Sequence, residues 1–370
     1  MMASEMNASA VSAVEPRGAA AHSARAKELA RENGFPLNGI AVLPANGESP
    51  RSESYNAWLK NGLHGPLDYM LNSQPARSRM QNRFPWARSV LALGAFYDGA
   101  ERGRPGRDLE AHVARYARGR DYHRIFTRRL KTISEALIKE GICTHAHYYV
   151  DTGPILERAW AEAAGLGWIG KNACLIHPRL GSFFLLAEIV LDVELQADAA
   201  ASDHCGTCTR CLESCPTQAF TSPGVLDAAR CLVTWNIEFE GRTPKELWKQ
   251  QGAWVAGCDI CQTVCPYNNA ARVPAPDAEL AQPLPWQSLS MADVITMTEA
   301  RFDVAFKAST LRRTGLNGLR LGAITAAGNL KLEECRQALM DCASDTDPEI
   351  SERSAWALGC LNKSALVDIE

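Results

Sequence analysis

Long apolar runs are missing from this 370-residue chain. None approaches the roughly 18–20 residues that a membrane-spanning helix needs. The opening stretch, MMASEMNASAVSAVEPRGAAAHS, lacks an apolar h-region and a twin-arginine pair, so no export signal is expected and the expected compartment is the cytoplasm. Structural disulfides are rare in such a reducing compartment, and closely spaced cysteines there point to metal. No GxGxxG loop sits in a βαβ setting, which removes a dinucleotide fold. A strong excess of either charge is also lacking: 39 Lys and Arg face 42 Asp and Glu, a net −3 that argues against indiscriminate nucleic-acid binding.

The charge is unevenly placed. From Glu101 to Lys131, nine Arg and one Lys stand against two Asp and two Glu, and from Arg77 to Arg88 there are four Arg and no acid. Such clusters are commonly solvated faces, and they also suit a phosphate-rich partner.

Cysteine is abundant, with 13 in the chain. CGTCTRCLESCP places Cys205, Cys208 and Cys211 at a strict spacing and Cys215 directly before Pro216. This is the bacterial ferredoxin run C-x2-C-x2-C-x3-C-P, in which the fourth thiolate ligates the other cluster. Structural zinc, the alternative, wants two CxxC-like pairs brought together by an intervening hairpin or helix. The second set is CDICQTVCPYN, with Cys258, Cys261 and Cys265 before Pro266; Val255 occupies the remaining position, and the upstream Cys231 can supply the absent thiolate. The exchange rule assigns Cys205, Cys208, Cys211 and Cys265 to one 4Fe–4S cluster, and Cys215, Cys231, Cys258 and Cys261 to the other. Trp235 and Trp254 are expected to pack around the clusters. Cys143, Cys174, Cys335, Cys342 and Cys360 are expected as small buried hydrophobes. Two adjacent clusters make an electron wire, which requires a redox centre or a substrate at its end.

The pattern predicts an α+β protein. Residues 1–23 read as a disordered tail. Residues 24–200 alternate helices (24–35, 121–141 with Gly141 as C-cap, and one from 155) and strands (37–44, 89–97, 145–154, 183–195), giving an α/β sandwich-like domain. Residues 201–275 form a ferredoxin-like two-cluster domain, and 276–310 a proline-rich linker and docking segment. In 311–370, Ala326/Gly328 and Ala357/Gly359 share Ala-x-Gly at a 31-residue repeat, consistent with HEAT-like helical hairpins or with a plain three-helix bundle.

Asp151 follows a strand and precedes a Thr-Gly-Pro turn, so it reads either as a helix N-cap or as a proton donor whose pKa burial has raised. GLGWIGKN (165–172) has glycines that let the backbone approach a flat cofactor or a phosphate. On these residues alone the end of the wire is a flavin, a corrinoid or nothing.

RYARGRDYH (115–123), DTGPILERAWAEAAGLGWIGKN (151–172), the paired cluster motifs and the C-terminal repeat, in this order, resemble the epoxyqueuosine reductase family. The resemblance implies cobalamin beside the two 4Fe–4S clusters, and reduction of the epoxide of epoxyqueuosine at the wobble position of transfer RNAs with GUN anticodons. It implies Asp151 as proton donor and, as corrinoid contacts, Asp151, Arg158, Trp168, Lys171, Asn172 and the backbone around Cys258 and Asp259. The absent D-x-H-x-x-G motif, which gives cobalt a histidine ligand in many cobalamin enzymes, fits a family that binds the corrinoid without it. Arg77, Arg115, Arg118, Arg120, Arg312, Arg313 and Arg320 become candidate contacts to an anticodon stem-loop. An external low-potential electron donor and a monomer are expected. Many relatives carry Arg just after the Tyr69-Met70 pair, where Leu71 and Asn72 stand here, and Arg-Asn where Leu321-Gly322 stands. The rival readings are a reductive dehalogenase-like corrinoid enzyme and a non-catalytic ferredoxin-type electron-transfer subunit.

Overall fold

A computed structural model describes residues 16–97, 108–239, 243–269, 275–281 and 286–362. The tail call for 1–15 and part of the basic stretch (Arg102, Arg104, Arg107) lie outside the described residues.

Four strands form one antiparallel sheet in the order β1 (Leu37–Val42), β2 (Ser89–Phe96), β6 (Phe184–Leu191), β3 (Ala146–Tyr149). The hairpin strands β4 (Trp168–Ile169) and β5 (Leu175–Ile176) pair outside it. All of β2 is buried, as a central strand covered on both faces requires. Leu91, Leu93 and Ala95 meet helices Pro16–Glu32 and Tyr122–Lys139 through Ala26, Leu29, Phe126 and Leu130. Val90, Ala92 and Phe96 point the other way, onto Trp160 and Ala161 of helix Glu157–Ala163. The two-residue side-chain period thus yields three layers from one strand. Gly39 in β1 is required there: a Cβ would lie 2.0 Å from the Ala164 carbonyl oxygen.

Two expectations about order are corrected. Residues 16–23 are helical. Pro16 suits a first turn, the alanines that follow are strong helix formers, and the buried Ser23 hydroxyl donates to the Ala19 carbonyl and accepts from Gln196 N–H. Residues 286–306 are not a linker. Trp286, Val294, Ile295, Phe302 and Phe306 enter the same hydrophobic core as Leu319, Ile324, Leu339 and Ala357 of the C-terminal helices. That core also takes in Val113, Ala117, Val255 and Ala256, so it joins the N-terminal layers, the cluster segment and the helical end.

The Ala-x-Gly repeat marks a helix–helix contact. A Cβ on Gly328, in helix Gly315–Leu330, would come within 2.9 Å of Ala357 in helix Pro348–Asn362. Beside it, the buried Arg353 guanidinium donates to Thr325 Oγ1 at 3.2 Å and lies 4.8 Å from the centre of the Trp248 ring.

Gly322 is where helix Gly315–Leu330 rests on the cluster segment; a Cβ there would sit 1.9 Å from the Val255 carbonyl oxygen. Gly322→Ala gains about 1 kcal/mol of helix propensity. It must also displace backbone that is pinned by the 2.7 Å Val255 N–H bond to the His112 carbonyl. Overpacking of this kind costs about 1–3 kcal/mol. Net destabilisation is therefore expected, read as a lower midpoint in denaturant unfolding.

Candidate functional site

Cys211 feels the charge of Cys265, Cys205 and Cys208, Cys258 that of Cys231 and Cys215, and Cys261 that of Cys174, Cys258 and Cys231. Among the described residues no three Cys, His, Asp or Glu side chains stand together as a ready set for one metal ion, and none of the 13 cysteines forms a disulfide. Short helices Arg210–Glu213 and Ile260–Thr263 follow Cys208 and Cys258 and present the next cysteine of each run. The first group lines a cavity of about 710 Å³ whose rim includes Arg179 and Arg210, both exposed.

Several side chains read as corrinoid contacts are instead committed to the cluster loops. Trp168 is 1 % exposed, is wedged against Tyr267, and donates its indole N–H to Cys205 Sγ at 3.4 Å. Lys171 Nζ donates to the carbonyls of Gly206 (2.6 Å) and Cys208 (3.0 Å). Asn172 donates to the Cys261 carbonyl, and buried Asp259 accepts the Arg115 backbone N–H at 2.7 Å. Their chemistry is that of braces: each satisfies or supplies backbone groups in a segment with little regular structure. Arg158 is exposed and donates to the Ala173 carbonyl. Among the other five cysteines, Cys143, Cys335 and Cys342 are buried as expected. Cys360 is half-buried, and Cys174 is half-buried with its thiol against Cys261.

Asp151 is not an N-cap. The helix that follows begins at Glu157 with Leu156 at its N-cap, and Asp151 takes a left-handed φ of 58° in the turn before it. Its carboxylate faces a cleft, with the side chain 42 % exposed. Oδ2 meets His123 Nε2 at 3.3 Å and the Arg313 guanidinium at 3.4 Å, and Arg313 continues to Glu238 at 2.6 Å. The other ring nitrogen of His123 lies 2.7 Å from Asp121, which also caps helix Tyr122–Lys139 by accepting the His123 backbone N–H.

The expectation that burial would keep Asp151 protonated is corrected. Desolvation pushes its carboxyl up, but the hydrogen bond and charge of His123, with Arg313 and Arg77, hold it below the usual carboxylate range. The proton resides on His123. Burial alone would lower that imidazole, and the bonds to Asp121 and Asp151 raise it to about 9. His123 lies within the RYARGRDYH motif, but nothing in the spacing shows that it meets Asp151, 28 positions away. Tyr116 is kept neutral by burial and feels the charges of Glu238, Asp151 and Arg313 as well as that of Asp259, the neighbour of Cys258.

The basic stretches divide under inspection. Arg77 is buried and donates to the Ile155 carbonyl at 2.7 Å. Arg115 is buried over the Phe183 ring, and the buried Arg118 donates to the Val113 carbonyl. Arg320 bonds the Ile295 carbonyl and Asp345. These four are struts, since a guanidinium packed inside on carbonyls and rings cannot also reach a phosphate. Arg120 and Arg124 are exposed, Arg312 is exposed and paired with Asp303, and exposed Lys307 precedes Ala308, whose carbonyl accepts the Asp121 N–H.

A group whose folded pKa is raised adds stability below its unfolded value, and that stability is lost as pH rises through the folded value. For His123 the window runs from the ordinary 6.5 to about 9. A ¹⁵N NMR titration of the imidazole is expected to show a midpoint near 9, falling toward 6.5 in Asp121→Asn.

Residues 204–268 match the family model described as a 4Fe-4S double cluster binding domain, and residues 77–152 match that of epoxyqueuosine reductase QueG, DUF1730. The chain is 39% identical over 310 residues to the epoxyqueuosine reductase of Gloeobacter violaceus, covering 82% of this chain and 95% of that protein. It is 38% identical over 344 residues to that of Xanthomonas campestris pv. campestris, covering 90% and 95%. A crystal structure of epoxyqueuosine reductase with an epoxyqueuosine-modified tRNA-Tyr stem loop superposes with a TM-score of 0.76 at 26% identity, covering 93% of this chain and 91% of that one. The Bacillus subtilis enzyme, with its catalytic aspartate loop swung out of the active site, gives a TM-score of 0.74 at 25% identity over 93% and 91%. With relatives this similar along nearly their whole length, the chain belongs to the epoxyqueuosine reductase family.

Proposed function

We propose that this chain reduces epoxyqueuosine to queuosine at the wobble position of transfer RNA, with Asp151 delivering a proton to the departing oxygen. The carrying observation is membership of the epoxyqueuosine reductase family, with Asp151 hydrogen-bonded to His123 in this chain. The reaction joins two electrons and two protons to an epoxide, giving an alkene and water. Reduction and protonation must therefore meet in one cleft.

The first thiol group, at the cavity rimmed by exposed Arg179 and Arg210, is the entry side for electrons from an external low-potential donor. The second group, nearest Asp259 and Tyr116, is the exit side. Cobalamin, when bound, supplies the low-valent cobalt that reduces the epoxide. Arg158 and half-buried Cys174, near each other beside Asp259, would offer it cationic and apolar contact. Asp151 then takes a proton from His123 and passes it to the leaving oxygen, and Arg313, itself anchored on Glu238, fixes the carboxylate. Relay through a charged imidazole suits a carboxylate that is itself ionised at rest.

The anticodon stem-loop is read as approaching over Arg120, Arg124, Lys307 and Arg312, with the C-terminal helices as HEAT-like hairpins beneath the last of these. The working form is read as a monomer in the cytoplasm, where transfer RNA is found. No helix among the described residues is long and apolar enough to cross a membrane.

The test is an anaerobic assay on an epoxyqueuosine-containing stem-loop, with nucleoside analysis of the product. In protein carrying both clusters and cobalamin, Asp151→Asn is expected to lower kcat by on the order of 10²–10⁴-fold, the usual worth of a positioned proton donor. Unchanged turnover would remove Asp151 from the reaction. Arg120→Glu with Arg124→Glu should weaken stem-loop binding and reduce its salt slope by about one unit per lost phosphate contact. An unchanged slope would make this a solvated face.

A further inference from the structure

Beneath the Asp151 turn lies a second pair of acids. Glu188 is on β6, 1 % exposed, on the sheet face shared with Val190 and covered by helix Glu157–Ala163. It pairs across the sheet with Ala92 and Tyr149, so a carboxyl sits in the middle of an apolar layer. Its neighbour is the Glu157 carboxyl, with which it is in hydrogen-bonding contact. Otherwise neither Glu188 oxygen receives any N–H or O–H. Two carboxyls can bond to each other only through a proton, and two charges this close in an apolar layer cannot both persist.

The pair touches the site through the backbone. Glu157 Oε1 accepts the Asp151 N–H at 2.7 Å, holding a residue whose φ of 58° a non-glycine side chain adopts at a cost. The charged and titratable groups facing the pair are Asp151, Arg77 and Tyr122. Arg77, the cation among them, spends a donor on the Ile155 carbonyl in the same turn. Desolvation and the neighbouring Asp151 charge raise Glu157 to about 7, and burial with the Glu157 charge raises Glu188 well above the ordinary carboxyl range.

We propose that Glu157 and Glu188 are positioning residues: a carboxyl pair that shares one proton, holds the Asp151 turn in its working place, and releases it when that proton is lost. With the proton in place, Glu157 is oriented by Glu188 and presents its free oxygen to the Asp151 N–H. Without it, Glu157 and Glu188 are both charged beneath an Asp151 that His123 and Arg313 pull from the other side, and the turn gains a reason to leave. That the aspartate loop of the Bacillus subtilis enzyme has been seen swung out shows that such a turn has a second position in this family. The inference rests on the proposed role of Asp151.

The variants are Glu188→Leu and Glu188→Gln in protein carrying both clusters and cobalamin. Glu188→Leu is expected to lower kcat on the stem-loop about tenfold or more, with KM changed little. Glu188→Gln should recover most of that loss, because its amide donates the bond the shared proton made. Its kcat–pH profile should lack the step the parent shows when the pair loses its shared proton, while both keep the fall near 9 at which His123 deprotonates. Full activity in Glu188→Leu, or a Glu188→Gln profile that superimposes on the parent's, overturns the proposal. A second readout needs no turnover. Infrared titration of the protein without cobalamin should show a protonated-carboxyl stretch that weakens as pH rises through about 7, where the first proton of the pair leaves, and persists above it while Glu188 holds the shared one; the persisting band should be missing in Glu188→Gln. No such band at neutral pH overturns the pair even if Asp151→Asn is inactive; an active Asp151→Asn with the band intact removes the role of Asp151 and leaves the shared proton standing.

Discussion

The proposed pair of clusters depends on an exchange of thiolates between two cysteine runs. In that proposal Cys265 completes the group begun at Cys205, and Cys215 joins Cys231, Cys258 and Cys261, thiols that feel one another's charge. Neither run makes a complete ligand set alone, so the two loops must be brought together before either cluster can be closed. That requirement explains why so many side chains from residues 165–172 are spent on the cluster loops. Trp168 fills the space behind Cys205, Lys171 ties two carbonyls of the first run, and Asn172 ties one of the second. Glycines in the same stretch let this hairpin come close; a Cβ on Gly167 would lie 2.2 Å from the Ile176 carbonyl oxygen.

The same segment is continuous with the proton site. Chain from Asp151 passes through helix Glu157–Ala163 directly into the hairpin that braces the clusters. A short, packed helix with Trp160 fully buried at its centre fixes the distance between the two. Electron delivery and proton delivery are thus set by one rigid element, which limits how far substrate or cofactor must adjust to bring the two together.

The sequence made this much legible where the signal was periodic or where ligands have a fixed spacing. The apolar run SVLALGAF and the stripe of Ile125, Phe126, Leu130, Ile133 and Leu137 point to the central strand and its covering helix. The cysteine spacing points to the double-cluster domain that residues 204–268 match. What stayed hidden is tertiary. Arg77, Arg115 and Arg118 count as positive charge in any window of sequence. Which of them bury a guanidinium against a distant carbonyl or ring depends on contacts such as Arg77 to Ile155, 78 positions apart. GLGWIGKN was read as a cofactor loop because glycine shows only that backbone comes close, without showing to what. The protonation expected for Asp151 is inverted, because His123 reaches it from another helix.

That inversion bears on how a carboxylate can serve as an acid at all. A lone buried aspartate keeps its proton by desolvation, and any nearby cation undoes this. Here two cations, His123 and Arg313, face the Asp151 carboxylate, while two more carboxyls lie under its backbone. The arrangement places the transferable proton one bond away, on an imidazole held between Asp121 and Asp151. Once proton transfer neutralises Asp151, the imidazole is left neutral between Asp121 and an acid. The repulsion between Asp151 and the Glu157–Glu188 pair falls at the same step. That repulsion opposes the hold of His123 and Arg313 on the ionised form, a hold that prevails at rest and keeps the carboxyl below its usual range.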